Sequence, residues 1–480
     1  MAEDLKSKTL SGFVWQFAQK FLGQGLSFCV TVILARLLTP EDYGVVALAG
    51  MFNVLVGIFI SGSMDSALVQ KKNADELDYN TVFYSSLGMS FVIYAVVFFG
   101  APVMAKIYHN ELITPIMRVM ALTMPIGALG MVQNASVTRN MQFRKFFFAT
   151  LVGQILAALA GIYMAYHGFG PWALVAQNII GTLSNTLTMY WMVTWHPKLM
   201  YSFSRFKQLF SYAWKKTSAN FMGTFCNQLK GYLIGYQYTT ADLAFFNRGE
   251  GLPEMFKNNL AGPLDSVLFS ALSKLQDDPN ALKNGIRHSI MTTNYVLSPI
   301  LFGLAATAPQ IVPILYSDKW TPAVPFMQIA CITVLIVVIN NTNLQLLYAT
   351  GNTGTVLKQE FIKKPVMLVI LAIAIWFGPI AISIGIFFHA CHELFWTARA
   401  NSKFSNYSLL EQLNDVKWGM ILGFIMFLLV HFVGIFFINP YWALVIKIFL
   451  GVAFYIGLSE VFKIEAYSYA KDIVLRKFLK

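Results

Sequence analysis

The sequence predicts an all-α polytopic membrane protein of about fourteen transmembrane helices, arranged as two parallel six-helix lobes and a C-terminal helix pair. Three observations carry this reading. The 480 residues are 56% hydrophobic and only 12% charged, with a mean hydropathy of +0.58, which excludes an ordinary water-soluble globule. Apolar stretches long enough to cross ~30 Å of hydrocarbon recur along the chain. Two sets of short motifs repeat in the same order roughly two hundred residues apart.

The expected spans lie near 11–37, 43–69, 80–107, 115–138, 146–167, 170–194, 211–236, 241–271, 286–316, 322–349, 355–377, 379–400, 416–438 and 440–463. The first is broken by Gln16, Gln19, Lys20 and Gln24, unlike a signal-peptide core, so it is expected to be retained. Lys and Arg fall mainly between spans in alternate connections: Lys71 and Lys72; Arg139, Arg144 and Lys145; Lys198, Arg205, Lys207, Lys215 and Lys216; Lys274, Lys283 and Arg287; Lys358, Lys363 and Lys364; Arg399, Lys403 and Lys417. The opposite connections hold only Lys106 and Lys319, with Arg36 and Arg248 at helix ends. By the positive-inside rule both termini are then cytoplasmic. The basic residues are topology signals in short clusters, so the net charge of +12 does not indicate nucleic acid.

Leu38-Thr39-Pro40-Glu41-Asp42-Tyr43 returns as Tyr238-Thr239-Thr240-Ala241-Asp242-Leu243, and Phe169-Gly170-Pro171 returns as Phe377-Gly378-Pro379. Six spans per repeat is an even number, so the halves enter the membrane from the same side. The domains follow: 1–197, the N-terminal lobe; 198–216, an amphipathic cytoplasmic linker running into the seventh helix; 211–400, the C-terminal lobe; 401–464, the appended pair; and 465–480, a basic tail. The linker, with Phe203, Phe206, Leu209 and Phe210, and the tail, with Ile473, Val474, Phe478 and Leu479, are expected along the inner leaflet.

Polar residues mark the candidate site. Gln16, Lys20, Gly23, Gln24, Ser27 and Thr31 recur at helical spacing on the first helix, as do Thr217, Asn220, Thr224, Asn227 and Gly231 on the seventh. Each stripe has to face protein or water, as a packing seam or as the wall of a hydrated cavity. Lys20, Arg118, Lys230, Arg248, Glu250, Glu254, Lys257, Asp265, Glu393 and Lys447 fall within expected spans, where a charge costs about 2.5 to 3.5 kcal/mol at mid-helix. They must pair, snorkel or point inward. Arg118, Arg248 and Lys447 are expected to snorkel. Lys20, about nine residues or ~14 Å into its span, belongs to the stripe. Glu250, Glu254 and Lys257 either pair along their helix or place an ion-responsive carboxylate beside an anion-binding cation.

Other chemistry finds little support. Cys29, Cys226, Cys331 and Cys391 lie singly and read as small core residues. His389, His392 and Glu393 share a helix face without a clear further metal ligand, so no metal is assigned. Gly351 and Gly354 lack a P-loop lysine, and no nucleotide or other cofactor is implied.

Three motifs are familiar as a set: Ala35 to Gly44, Phe269 to Asp278, and Leu315 to Trp320. They resemble the Wzx-type polysaccharide flippases and exporters of the multidrug/oligosaccharidyl-lipid/polysaccharide superfamily, colanic-acid and teichuronic-acid exporters above all, over residues 8 to 400. Ser270 departs from the proline that many relatives carry. The resemblance implies two lobes facing a central cavity, and as cargo an oligosaccharide on polyprenyl pyrophosphate, carried by alternating access to the outer face of the bacterial inner membrane. Lys20, Lys257, Arg118, Lys230 and Arg248 are the candidates to face the pyrophosphate; Gln16, Gln24, Asn220 and Asn227 the sugar. Glu250, Glu254 and Asp265 are candidates for coupling to a proton or sodium ion. Polysaccharide polymerase or assembly proteins are conceivable partners. The rival readings are a cation-coupled drug antiporter or a lipid II flippase on the same fold, and a membrane glycan polymerase or ligase. The last is disfavoured by external loops that are short and nearly devoid of Arg and His.

Overall fold

In hydrocarbon every backbone amide has to be satisfied within its own segment, and the chain meets that demand with helices throughout. The computed structural model describes residues 2–61, 64–71, 73–276, 278–433, 439–469 and 471. The helices are α1 (Ala2–Leu37), α2 (Pro40–Ser61), α3 (Met64–Gln70), α4 (Glu76–Ile107), α5 (Ile113–Met120), α6 (Thr123–Arg139), α7 (Phe143–Tyr166), α8 (Trp172–Met192), α9 (Phe203–Gln237), α10 (Thr240–Ser273), α11 (Pro279–Tyr316), α12 (Val324–Ala349), α13 (Thr353–Ala374), α14 (Pro379–Ser405), α15 (Leu409–Val433) and α16 (Pro440–Val461).

Among the described residues, ten segments are long and apolar enough to span a membrane, one of them α5 and α6 taken together. The expected count of about fourteen depends on four more helices: α8, α9, α10 and α13, of 21, 35, 34 and 22 residues. At 1.5 Å per residue each can cross ~30 Å. They fall short on composition, α8 through Asn, Gln, Ser and Thr, α9 and α10 through both polar and charged residues, and α13 through its charges. The amphipathic linker enters α9 without a break at Phe203. Ile473, Val474, Phe478 and Leu479 of the tail lie outside the described residues.

The repeated motifs build the same devices twice. At the start of α2, Thr39 N donates to Asp42 Oδ2 (2.9 Å) and Asp42 N donates to Thr39 Oγ1 (3.2 Å). At the start of α10, Thr239 N donates to Asp242 Oδ2 and Asp242 N donates to Thr239 Oγ1, both at 3.1 Å. Each is a reciprocal capping box that satisfies two orphan amides. In the second motif Gly170 (φ +53°) and Gly378 (φ +108°) take positive φ just ahead of Pro171 and Pro379, where α8 and α14 begin.

The chain divides into two compact units, Met1–Ala244 and Phe245–Lys480. In the first, α7 packs on α1 and α8, α6 on α4 and α8, and α9 on α2, α3 and α4. Gly153, Ala157 and Gly161 form a small-residue seam on α7; a methyl group on Gly153 would stand 3.0 Å from the Gly181 carbonyl oxygen. Gly44 lies so close to Thr240 that an added methyl would collide with the Thr240 carbonyl. The linker is strapped to α4: Lys198 N donates to Asn80 Oδ1 (2.6 Å), Lys198 Nζ pairs with Glu76, and the buried Asp78 takes both Lys71 and Arg205.

In the second unit α11 packs on α12, α15 and α16, and α14 packs on α12 and α13. Asn343, Asn401 and Gln412 join α12, α14 and α15 through buried amide hydrogen bonds. Tyr455 Oη donates to the Tyr295 carbonyl (3.0 Å), and Tyr295 Oη to Ser459 Oγ (2.6 Å), so the C-terminal helices are integral to this unit. Cys226 and Cys331 are buried as expected, Cys391 is half-buried, and Cys29 is exposed.

Candidate functional site

The polar stripe of α1 divides between two uses. Gln19 Nε2 donates to Thr150 Oγ1 of α7 (2.9 Å), and Gly23 is buried against Gln154, so this part is a packing seam. Lys20 and Ser27 are exposed on the same helix, and Gln24 is half-buried. Gln16 lies in α1, but its side chain falls outside the described part. The stripe of α9 divides likewise. Gly231 is buried against Met51 of α2, and the neighbouring Tyr232 Oη donates to the Met51 carbonyl (3.0 Å), whereas Asn220 and Asn227 are exposed and Lys230 is half-buried.

Of the three cations expected to snorkel, Lys447 is buried, and Arg118 and Arg248 are half-buried against aromatic rings. Arg118 Nε donates to the Phe98 carbonyl (3.0 Å), with its guanidinium 4.1 Å from the Phe98 ring centre. Arg248 sits 5.0 Å from the ring centres of both Tyr316 and Trp320, so the Leu315–Trp320 motif supplies an aromatic seat for a cation. Lys447 is 2% exposed and donates to Gln310 Oε1 (2.9 Å) and the Ala306 carbonyl (3.3 Å). The physical reason is the packing of α16 on α11, which brings polar acceptors within hydrogen-bond reach of the ammonium. Lys447 lines an apolar cavity of about 410 Å³ between α11, α15 and α16, with Leu304, Met426 and Ile448.

Of the α10 candidates, Lys257 and Glu254 form an ion pair at 2.5 Å, one turn apart, as the pairing alternative required. Glu250 and Asp265 are half-buried on the same helix. A second cavity, about 300 Å³, opens in the first unit beside Asn53, Asp65, Thr123 and Asn134. The Oδ1 atoms of Asn53 and Asn134 are buried without a hydrogen-bond partner, a lining suited to hydroxyl or water ligands.

The charge pattern hid one cluster. Lys363, assigned from sequence to a cytoplasmic connection, is 1% exposed at the middle of α13 and donates to Thr397 Oγ1 of α14 (2.8 Å). Around it stand Lys364, paired with Glu360 (3.2 Å), and His389, His392 and Glu393 of α14. Although the expected span 355–377 includes them, Lys358, Lys363 and Lys364 read from sequence as topology signals of a cytoplasmic connection. The helical spacing of Glu360 and Lys364, together with a histidine and a glutamate in the following span, was the available signal. Among the described residues no three His, Cys, Asp or Glu side chains converge as metal ligands.

Long apolar helices with charged and amide-bearing side chains between them define a multi-pass helical membrane protein. Its fold is similar to that of the lipid II flippase MurJ in an inward closed conformation, with a TM-score of 0.74 at 15% identity over 98% of this chain and 100% of that one. Residues 33–325 match the family described as "Polysaccharide biosynthesis protein", and the chain belongs to that family. It is 24% identical to the succinoglycan biosynthesis transport protein ExoT of Rhizobium meliloti, over 68% of this chain and 66% of ExoT. It is 21% identical to the lipopolysaccharide biosynthesis protein WzxC of Escherichia coli, over 80% of this chain and 77% of WzxC.

Proposed function

We propose that this chain is a flippase, not an enzyme, that moves a polyprenyl-pyrophosphate-linked oligosaccharide from the cytoplasmic to the outer face of a bacterial inner membrane. The observation that carries the proposal is the coincidence of a flippase fold over the whole chain with membership of a polysaccharide biosynthesis family. The physics fits: stripping water from a pyrophosphate and a sugar chain is prohibitive, so cations and amides must replace that hydration while the polyprenyl tail stays in lipid.

In this reading the two halves rock in alternating access, with both termini cytoplasmic. Lys20 on α1 leads the anion-facing set, with Lys230 on α9 and Lys257 on α10; Arg118 and Arg248, seated on aromatic rings, act at its edge. Gln16, Gln24, Asn220 and Asn227 contact sugar. Glu250 and Asp265 remain candidates for an ion-responsive role beside the Glu254–Lys257 pair, and polymerase or assembly proteins would receive the product.

Deleting the gene tests the proposal. Lipid-linked oligosaccharide should accumulate on the cytoplasmic face and clear when the intact gene is restored. Unchanged export of every surface glycan would refute it.

A further inference from the structure

We propose that His389 and Glu393 of α14, flanked by Lys363 and Lys364 of α13, form a proton-binding site that couples proton movement to transport; the coupling half of this rests on the flippase reading above.

The cluster lies at the centre of both helices: Lys363 is near the midpoint of Thr353–Ala374, and His389 and Glu393 straddle that of Pro379–Ser405. Ionisable groups at that depth are costly and mark function by default. Its bonding is incomplete. Glu393 Oε1 stands 3.9 Å from His389 Nε2 and 3.8 Å from Lys364 Nζ, within Coulombic reach but too long for hydrogen bonds. His389, 8% exposed, keeps Nε2 without a hydrogen-bond partner, and His392 Nδ1 and Gln359 Oε1 are likewise buried and unpartnered. Lys363 has only the Thr397 hydroxyl as a direct acceptor, and that hydroxyl gives its own hydrogen to the Glu393 carbonyl (2.8 Å).

Charge identifies the ligand. Lys363 and Lys364 balance Glu360 and Glu393, so the cluster is neutral while the histidines are neutral. A metal ion would add charge beside two ammonium groups and find too few ligands. A proton needs only a lone pair: with hydrogen on Nδ1, His389 offers Nε2 toward Glu393, and binding turns the imidazole into an imidazolium beside its carboxylate. The charged and titratable groups facing His389 are Glu393, Lys364 and His392, and the Lys363 backbone carbonyl lies within hydrogen-bond reach of its ring. From α12 come no charged side chains and one phenol, Tyr348, beside Glu360. The charged groups of α11 and α15 at that side, Lys283, Arg287, Glu411 and Asp415, are paired with one another. Glu254 is a weaker candidate because Lys257 already neutralises it. A site at mid-span can load from one side of the membrane and discharge to the other as the halves rock.

The test uses the full-length protein in phosphatidylethanolamine–phosphatidylglycerol vesicles, with the proton itself as probe. Proton uptake between about pH 5 and pH 8, the range in which an imidazole charges, is read with a pH-sensitive dye in weak buffer and by infrared difference spectra of imidazole and carboxyl bands. His389→Gln should take up one proton fewer than the unsubstituted protein, and Glu393→Gln should move the uptake to lower pH. Lys364→Gln, which removes a repelling charge without emptying the site, should move it to higher pH. Matching elution and melting behaviour control for folding. Unaltered uptake in both His389→Gln and Glu393→Gln would overturn the site. Export in cells is scored separately: if the intact gene restores glycan export and His389→Gln does so equally well, coupling is refuted while the flippase reading stands. If the intact gene has no bearing on any surface glycan, the flippase reading fails and the coupling with it, whereas the proton site is judged on the vesicle titration alone.

Discussion

Arg287 of α11 grips Asp415 of α15 in a two-point contact, Nε to Oδ2 at 3.0 Å and Nη2 to Oδ1 at 3.1 Å, and its Nη2 also reaches Glu465 beyond α16 at 2.7 Å. One guanidinium thus fastens both C-terminal helices. The fork geometry of arginine suits this, and lysine would not reproduce it.

Arg287→Gln should therefore destabilise the protein by about 1.5 to 3 kcal/mol, since Asp415 is 12% exposed and would lose its charged partner, keeping the Tyr407 hydroxyl. Arg287→Met combined with Asp415→Leu should cost less than the two single changes added together, because neither charge is left stranded. Thermal unfolding in detergent reads both; strict additivity would show that the pair contributes no coupling.

Gly44→Ala places a methyl against the Thr240 carbonyl. Overpacking of this kind costs about 1 to 3 kcal/mol, so the melting temperature and the amount of protein in the membrane should both fall. A variant as stable as the parent would mean that the α2–α10 contact opens freely.

Asp75 caps α4, accepting a hydrogen bond from Asp78 N (2.9 Å). That backbone bond, followed by the Asp78 side chain and the nearby Arg205 and Lys71, holds its carboxyl below the usual carboxylate range. A lowered value in the folded state means that the contribution is present above the unfolded carboxylate range and fades as pH falls through the folded one. Asp75→Ala should cost about 0.5 to 2 kcal/mol at neutral pH, and the difference should shrink in acid. Asp75→Asn, still a good cap, should retain more of it. Denaturant titration at two pH values distinguishes these outcomes.

Lys20→Ala should reduce glycan export about tenfold or more, the equivalent of one charge-assisted contact to phosphate, while membrane abundance stays the same. Lys20→Arg should keep most of the export. Full export by the alanine variant would remove Lys20 from the path.

The helices, their order and the duplicated starts of α2 and α10 were legible because they depend on local rules: apolar run length, Thr-x-x-Asp caps, and Gly before Pro. Side-chain destinations were not, because they depend on which helix lies alongside. Gly23 and Lys20 belong to one stripe in sequence, yet only the packing of α7 decides that Gly23 is buried in a seam while Lys20 is exposed. Lys447 looked like a residue that reaches for the surface until α11 offered it Gln310. Lys363 reads as one of the topology signals for the same reason: composition cannot tell a lysine at a helix end from one that meets Thr397 in the middle of a span.

The contact between Gly44 and Thr240 has an evolutionary consequence. These residues sit at the starts of two helices that open with the same Thr-x-x-Asp motif, and the position that matches Gly44 in the second motif is Ala244. Of the two matched positions, the one that carries glycine is the one whose backbone meets the other motif. The two stretches are therefore not free to vary independently: a change at the head of one alters the surface that the other meets, and substitutions around residues 40–44 and 240–244 should accumulate as correlated pairs.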